Sequence, residues 1–397
     1  MTDTDVARAR ALTLGCGEVV HLNNAGAALP PAPVTDIVVE HLRAEAMRGG
    51  YEAAEEAAPR VDAVYRSIAA LIGAETEDVS ITDSATRAWQ AVFYSIPFVP
   101  GDRILTCKAD YASNAIALLQ TARRTGAEIE VVADDESGQV DVEDLRRRLD
   151  GRVRLITMTH VPTQGGLVNP AEQVGEIAEE AGIPFLLDAC QSAGQLELDV
   201  ARLRCDALSA TGRKYLRGPR GTGFLYTSPR LRKKLEPAVL DLHSATWTAP
   251  DAYQVHEDGR RFELWEKNVA AVLGLGAAVD HALSWGLDAI EERVSGLAAG
   301  LRTALADIPG VTVHDQGVRR CGIVTFSLAS LPSARLRRLL GAENINTSLS
   351  RRESAQHDFT ARDLPEMIRA SVHYYNTEDE LSRLVDAVAR SSRRRAG

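Results

Sequence analysis

The chain reads as an α/β protein, with a mainly parallel sheet covered by helices followed by a smaller C-terminal α+β domain. Three observations predict this. Short apolar runs alternate with helix-spaced segments through residue 226, the pattern of a parallel sheet with both faces covered. The length of 397 residues exceeds what one core normally spans, so two domains are expected. From about Leu273 a long helical region to Leu305 gives way to strands near Val311-Thr312-Val313 and Gly322-Ile323-Val324-Thr325-Phe326. The divisions that follow are an N-terminal arm over 1–20, a large domain over 21–255, a connecting segment over 256–274 and a small domain over 275–397.

Taken in order, Val19-Val20-His21-Leu22 is a short extended run, and Asn23-Asn24-Ala25-Gly26 follows as a turn built from turn-forming residues. A helix over Pro33 to Arg48 carries Val34, Ile37, Val38, His41 and Leu42 at helical spacing. Gly49-Gly50-Tyr51-Glu52-Ala53-Ala54-Glu55 interrupts that pattern before a second helix through Val61, Val64, Tyr65, Ile68 and Leu71. The strand Val79-Ser80-Ile81-Thr82 then turns at Asp83-Ser84-Ala85-Thr86 into a helix starting at Arg87. Such a turn presents unpaired N-H groups and the positive end of a helix dipole, which suit a phosphate. Thr86 is either a phosphate ligand or an N-terminal cap there.

Arg103-Ile104-Leu105-Thr106-Cys107 is the next strand, leading to Asp110-Tyr111-Ala112-Ser113-Asn114, and Arg154 to His160 another, leading to Val161-Pro162-Thr163-Gln164-Gly165-Gly166. A helix over Ala171 to Ala181 precedes Pro184-Phe185-Leu186-Leu187-Asp188-Ala189-Cys190-Gln191, an apolar run ending in an aspartate. Ser209-Ala210-Thr211-Gly212-Arg213-Lys214-Tyr215 reads as a buried strand end, and Gly218 to Tyr226 as a glycine-rich hairpin. His243 to Trp247 and Arg261 to Asn268 break the periodicity. Gly274-Leu275-Gly276-Ala277-Ala278 has the look of a dinucleotide fingerprint but no strand before it, so its glycines are read as permitting close helix packing.

Composition narrows the function. Hydrophobic residues at 45% and charged residues at 25% are ordinary globular values, and a net charge of -10 argues against a nucleic-acid partner. No long apolar stretch suggests a membrane span and the first residues lack the pattern of a signal peptide, so a cytoplasmic protein is expected. The five cysteines are scattered without CxxC spacing and read as free thiols, with no metal site. The Arg-rich end, Ser391 to Gly397, reads as a solvated tail.

The chemistry centres on Lys214 and Asp188. Pyridoxal phosphate (PLP) needs a lysine amine for its Schiff base and a carboxylate on its pyridinium nitrogen, because the protonated ring is the electron sink for a substrate carbanion. The two motifs supply one of each. With these and the ordered motifs from His21-Leu22-Asn23-Asn24-Ala25-Gly26 to Arg369-Ala370-Ser371-Val372-His373-Tyr374-Tyr375-Asn376-Thr377, the chain resembles the class V aminotransferase family of fold-type I PLP enzymes, which includes cysteine desulfurases and carbon-sulfur lyases.

The resemblance implies a PLP site and a fold-type I transferase architecture. Ala85 and Thr86 are expected on the phosphate, with Thr211 and Arg213, and Tyr111 on the ring face, where desulfurases carry a histidine. Thr163, or Gln164 instead, is expected near the ring oxygen, and Gln191 beside it. Asn268, or Trp265, is expected to cross to the partner subunit's phosphate in a homodimer with shared sites. Arg369 is expected to hold the substrate carboxylate, with Asn24 and Tyr51 also lining the substrate, and one of Arg351 and Arg352 facing it. The Gly-Gly-Tyr string resembles that of the ergothioneine-pathway and lincosamide-pathway lyases acting on cysteine S-conjugates.

The desulfurases' cysteine loop corresponds to Ile345 to Ser354, which contains no cysteine. With persulfide transfer set aside, the Gly-Gly-Tyr resemblance implies β-elimination on an S-substituted cysteine or its sulfoxide, giving thiol or sulfenate, pyruvate and ammonia. Lys214 would be the base and Asp188 the ring partner. Transamination, epimerisation and decarboxylating oxidative deamination on the same site are the alternatives.

Overall fold

The structure, a computed structural model, describes residues 1–393. Seven strands form the large sheet, in the order Val79–Thr82, Gly223–Thr227, Ala207–Thr211, Phe185–Asp188, Val153–Thr159, Arg103–Cys107 and Glu128–Val132. Gly223–Thr227 runs antiparallel to both its neighbours and every other pairing is parallel. Side chains alternate between the faces of a strand, and the sequence uses the alternation to build two cores. Leu105, Ile156, Leu187, Leu208 and Phe224 belong to one. Their neighbours Ile104, Leu155, Leu186, Ala207 and Leu225 join Trp89, Phe93 and Phe98 in the other. Continuous apolar runs, rather than alternating ones, are what a sheet covered on both faces requires.

The small sheet is antiparallel, in the order Val311–Val313, Ile323–Leu328, Met367–Ser371 and Ser348–Ser350. The helices Leu287–Ala306, Ser333–Ala342 and Glu378–Arg393 accompany it. The first core continues into it, since Val294, Phe326 and Leu384 belong to the same cluster as Leu187 and Leu208.

Several sequence expectations change at this level. The arm is a helix, Asp3–Ala11, whose Arg10 pairs with Glu380 at 2.8 Å. The strand Val20–His21 pairs in parallel with Ile345–Asn346, so the start of the expected large domain lies against the small one. The boundary at 274 falls inside the helix Val269–Trp285, and the helical region to Leu305 is two helices bent by 81° at Gly286, whose φ of 82° suits glycine. The interruption after Gly49 is a single residue wide, because the next helix already begins at Gly50 and holds Tyr51. The C-terminal helix runs to Arg393 with Ser391 buried, where a solvated tail was expected; residues 394–397 lie outside the described residues.

Gly274 and Gly276 serve packing, as their sequence context suggested. A Cβ at Gly274 would meet Val38 Cγ2 at 2.6 Å, and one at Gly276 would meet Val64 Cγ2 at 2.6 Å. The helix thereby lies close against Ala32–Arg48 and Gly50–Ile72.

Candidate active site

The carboxyl ends of Val79–Thr82, Ala207–Thr211, Phe185–Asp188, Val153–Thr159 and Arg103–Cys107 lie along one edge of the large sheet, where open α/β sheets carry a ligand cleft. Thr82, Gly223 and Thr211 stand side by side in register, and Asp188 pairs with Thr159 and Ser209. Lys214 follows two residues after Thr211–Gly212, in a loop closed by Gly212 N to Thr222 O at 3.0 Å and Gly218 N to Gly212 O at 2.7 Å.

Lys214 is buried, and its Nζ lies 3.3 Å from Cys190 Sγ with no carboxylate at ion-pair distance among the described residues. Burial pushes its amine below the usual lysine range. Asp188 accepts from Cys190 N at 2.9 Å on one oxygen and from Asn114 Nδ2 at 2.9 Å on the other. Burial raises its carboxyl despite those two donors.

Ala85 begins the helix Ala85–Phe93. Ser84 Oγ caps it by accepting from Arg87 N at 3.3 Å, so the capping role weighed for Thr86 falls to Ser84 and the Thr86 hydroxyl is left for a ligand. Gly223 lies against this turn, since a Cβ there would meet Ser84 C at 2.7 Å and Ala85 N at 2.9 Å. Tyr111 stands at the N-terminus of Ala112–Thr125, its backbone N donating to Asp110 Oδ1 at 2.7 Å.

Across the cleft, Arg369 Nη1 donates to Thr163 Oγ1 at 2.6 Å and to Thr163 O at 2.9 Å. Gln191 Nε2 donates to the same Thr163 Oγ1 at 3.2 Å and to Ala25 O at 3.1 Å. Thr163 is thus the joint between Arg369 and Gln191. Arg369 has no acidic partner among the described residues, and burial brings its guanidinium down to about 10. Its Nε and Gln191 Oε1 are buried without hydrogen-bond partners.

Other expected residues are placed differently. Asn24 is fully buried and committed to structure: Nδ2 donates to Ser371 O at 2.7 Å and Oδ1 accepts from Tyr375 OH at 2.5 Å. Its neighbour Asn23 faces the cleft instead, with Oδ1 3.5 Å from Arg369 Nη2. Tyr51 is 75% exposed and shares no hydrogen bond with this cluster. The Thr211 hydroxyl donates to Thr222 O at 3.1 Å, and Arg213 Nη1 to Gly26 O, so neither is directed to the helix N-terminus by these bonds. Gln164 donates to Asp358 at 3.2 Å, which leaves Thr163 as the loop's residue in the cluster. Asn268 caps its own helix through Ala271 N at 2.9 Å, and Trp265 is exposed. Arg351 and Arg352 face away into surface contacts with Glu366, Thr360 and Asp363.

The sequence reading missed two buried groups. Asp110 and Asn114 lie behind Asp188. Glu263 ties Tyr65 OH, Ile81 N at 2.7 Å, His243 Nε2 at 3.1 Å and Lys267 together below the Ser84 turn. Burial opposes its ionisation, yet His243 and Lys267 hold its carboxyl below the usual glutamate range.

A buried lysine amine, a buried carboxylate and a glycine-backed helix N-terminus at strand ends fit PLP, and Gln191 Oε1 and Arg369 Nε beside them are buried with no protein partner. This is the site of a fold-type I PLP enzyme. The chain belongs to the class V aminotransferase family, described as "Aminotransferase class-V", whose model matches residues 20–384. It is 27% identical over 371 residues to a probable cysteine desulfurase of Methanothermobacter thermautotrophicus, covering 92% of each chain. Its fold is shared with a cysteine desulfurase from Thermococcus onnurineus, with TM-score 0.91, 24% identity and coverage of 97% of this chain and 98% of that one. It is also shared with a cystine C-S lyase in complex with cysteine persulfide, with TM-score 0.85, 22% identity and coverage of 95% and 99%.

Proposed function

We propose that the chain is a PLP-dependent carbon-sulfur lyase that performs β-elimination on an S-substituted cysteine or its sulfoxide, releasing thiol or sulfenate, pyruvate and ammonia. When bound, PLP supplies the electron sink that acidifies the substrate's α-hydrogen. Lys214 would hold the cofactor through its amine and, once freed, take the α-proton on Nζ; its depressed basicity keeps more of it neutral near pH 7. Asp188 would keep the ring nitrogen protonated, and Tyr111 would cover the ring. Ala85 and Thr86 would hold the phosphate at the helix N-terminus. Arg369 would take the substrate carboxylate, oriented by Thr163.

The observation that favours elimination over sulfur transfer to the enzyme is the placement of the thiols. The segment Ile345–Ser354, where the resemblance puts a sulfur-accepting cysteine, carries none. Cys321 is fully buried, with its thiol pushed up to about 11 by burial. Cys190 sits on the cleft floor against Lys214, on a backbone fixed by Asp188. The leaving sulfur therefore departs as a free product.

The site is proposed to be completed in a homodimer. Leu42, Met47, Tyr51, Trp247, Tyr253 and Trp265 are exposed large apolar side chains that a second copy would cover. A partner's Tyr51, Asn268 or Trp265 could then reach the cleft. A cytoplasmic setting accords with the free cysteines.

The test is to incubate PLP-loaded protein with a panel of cysteine S-conjugates and sulfoxides, following pyruvate together with thiol from the former and sulfenate-derived product from the latter. Equal release of pyruvate and sulfur product is expected. Persulfide on the protein, or alanine in place of pyruvate, would overturn the reading.

A further inference from the structure

Asp188 does not stand alone. Asp110 and Asn114 are each 3% exposed and lie directly behind it. Asp110 accepts from Thr106 Oγ1 at 2.8 Å, Tyr111 N at 2.7 Å, Thr159 Oγ1 at 2.9 Å and Asn114 Nδ2 at 3.4 Å. The same Asn114 Nδ2 donates to Asp188 Oδ2 at 2.9 Å. No lysine or arginine among the described residues forms an ion pair with Asp110 or Asp188 at 4.0 Å or less, although both carboxyls are buried.

Two unpaired acids bridged by one amide are a costly arrangement for a core. A buried carboxyl raises stability only when its lone pairs are well satisfied, and replacing such a group by apolar residues is often neutral or stabilising. Asp110 meets four donors, which gives it a structural role, and its location gives it a second one. The strand ends carrying Thr106, Thr159 and Asp188 are adjacent, and Asp110 gathers donors from two of them and from the first turn of Ala112–Thr125. Asn114 Nδ2 thereby lies between two carboxylates, Asp110 Oδ1 at 3.4 Å and Asp188 Oδ2 at 2.9 Å. With Cys190 N on the other oxygen, both Asp188 oxygens are held and the carboxyl cannot rotate without losing a hydrogen bond.

We propose that Asp110 and Asn114 are positioning residues for Asp188: Asp110 fixes the Asn114 amide, and Asn114 fixes the carboxylate that meets the cofactor's ring nitrogen. The proposal rests on PLP being the cofactor but not on which substrate or reaction follows. Asp110 acts on Asp188 through Asn114, so its influence on the titration midpoint should vanish once the amide is gone, whatever it does to binding through Tyr111 N.

The experiment uses the holoenzyme without substrate. Wild type, Asn114→Ala, Asn114→Ser, Asp110→Asn and the double variant Asp110→Asn with Asn114→Ala are titrated with PLP, and the visible absorption of the bound cofactor is followed against pH. Melting of each apoprotein is the folding control, and the serine variant serves if alanine does not fold. The single variants should weaken PLP binding by about 10-fold, the size of a lost buried hydrogen bond to a charged group, and displace the midpoint of the absorption titration. The double variant should match Asn114→Ala alone in that midpoint. An unmoved midpoint in the Asn114 variants, or additive midpoint shifts in the double variant, would overturn the proposal. A wild-type protein that shows no bound-cofactor absorption at all would instead defeat the cofactor assignment, and the proposal with it. A normal spectrum without release of thiol and pyruvate would defeat only the lyase reading.

Discussion

Arg369 reaches from an inner strand of the small sheet to Thr163, in the loop that follows Val153–Thr159 of the large one, donating to its hydroxyl at 2.6 Å and its carbonyl at 2.9 Å. A guanidinium buried this way satisfies only part of its donor fork and keeps its charge uncompensated. An incoming carboxylate supplies what is missing. Replacement by alanine should lower kcat/KM by roughly 100-fold or more, as for other buried charge-assisted contacts, while the absorption of the bound cofactor stays as in wild type. Steady-state kinetics beside a visible spectrum check both halves. Thr163→Val should give a smaller loss in the same direction, because the carbonyl contact survives.

Gly223 backs the turn proposed to hold the phosphate so closely that a methyl group would strike the backbone of Ser84 and Ala85. Gly223→Ala should therefore displace the helix N-terminus and weaken PLP binding by roughly 10-fold, on the scale of one lost charge-assisted hydrogen bond. Equilibrium titration of the apoprotein measures it, and unchanged affinity would contradict the placement of the phosphate there.

Burial raises the Asp110 carboxyl from 3.8 to about 6, overriding its hydrogen-bond donors. A group whose folded value is raised contributes stability that is complete below its unfolded value and lost as pH rises through the folded one. Between about pH 4 and pH 6 the apoprotein should lose stability relative to Asp110→Asn, by at most about 3 kcal/mol. Denaturant midpoints of the two proteins at several pH values test the slope, whatever the offset between them.

Gly276 has no room for a side chain against Val64. Gly276→Ala should cost about 1–3 kcal/mol from overpacking between helices, read from denaturant unfolding, with cofactor absorption preserved in the folded fraction.

What the sequence revealed and what it hid follow from distance along the chain. Most strands of the large sheet announced themselves as local apolar runs, and Lys214 and Asp188 did so because each closes such a run beside a small-residue turn, whereas the charged edge strand Glu128–Val132 and the short Ser348–Ser350 did not. Ser84, rather than Thr86, caps its helix because that choice depends on one residue's backbone angle. Asn24 was read as a substrate contact while Asn23 faces the cleft, because the deciding partners, Ser371 and Tyr375, lie 347 and 351 positions away. Asp110, Asn114 and Glu263 went unread for the same reason, since an acid in a polar turn and an acid in a core have the same letter. Tyr51 lay in a motif legible in sequence, but its exposure is a property of the folded helix alone.

The parallel pairing of Val20–His21 with Ile345–Asn346 also orders events during synthesis. His21 and Asn346 are 325 positions apart, so the earlier of these two strands waits without its neighbour while the whole large sheet, Val79 to Thr227, emerges from the ribosome. Vectorial folding can complete that sheet, but not the Asn23 and Ala25 side of the cleft, which is anchored through Ser371. The catalytic cleft is therefore closed last, by a join between early and late portions of the translated chain.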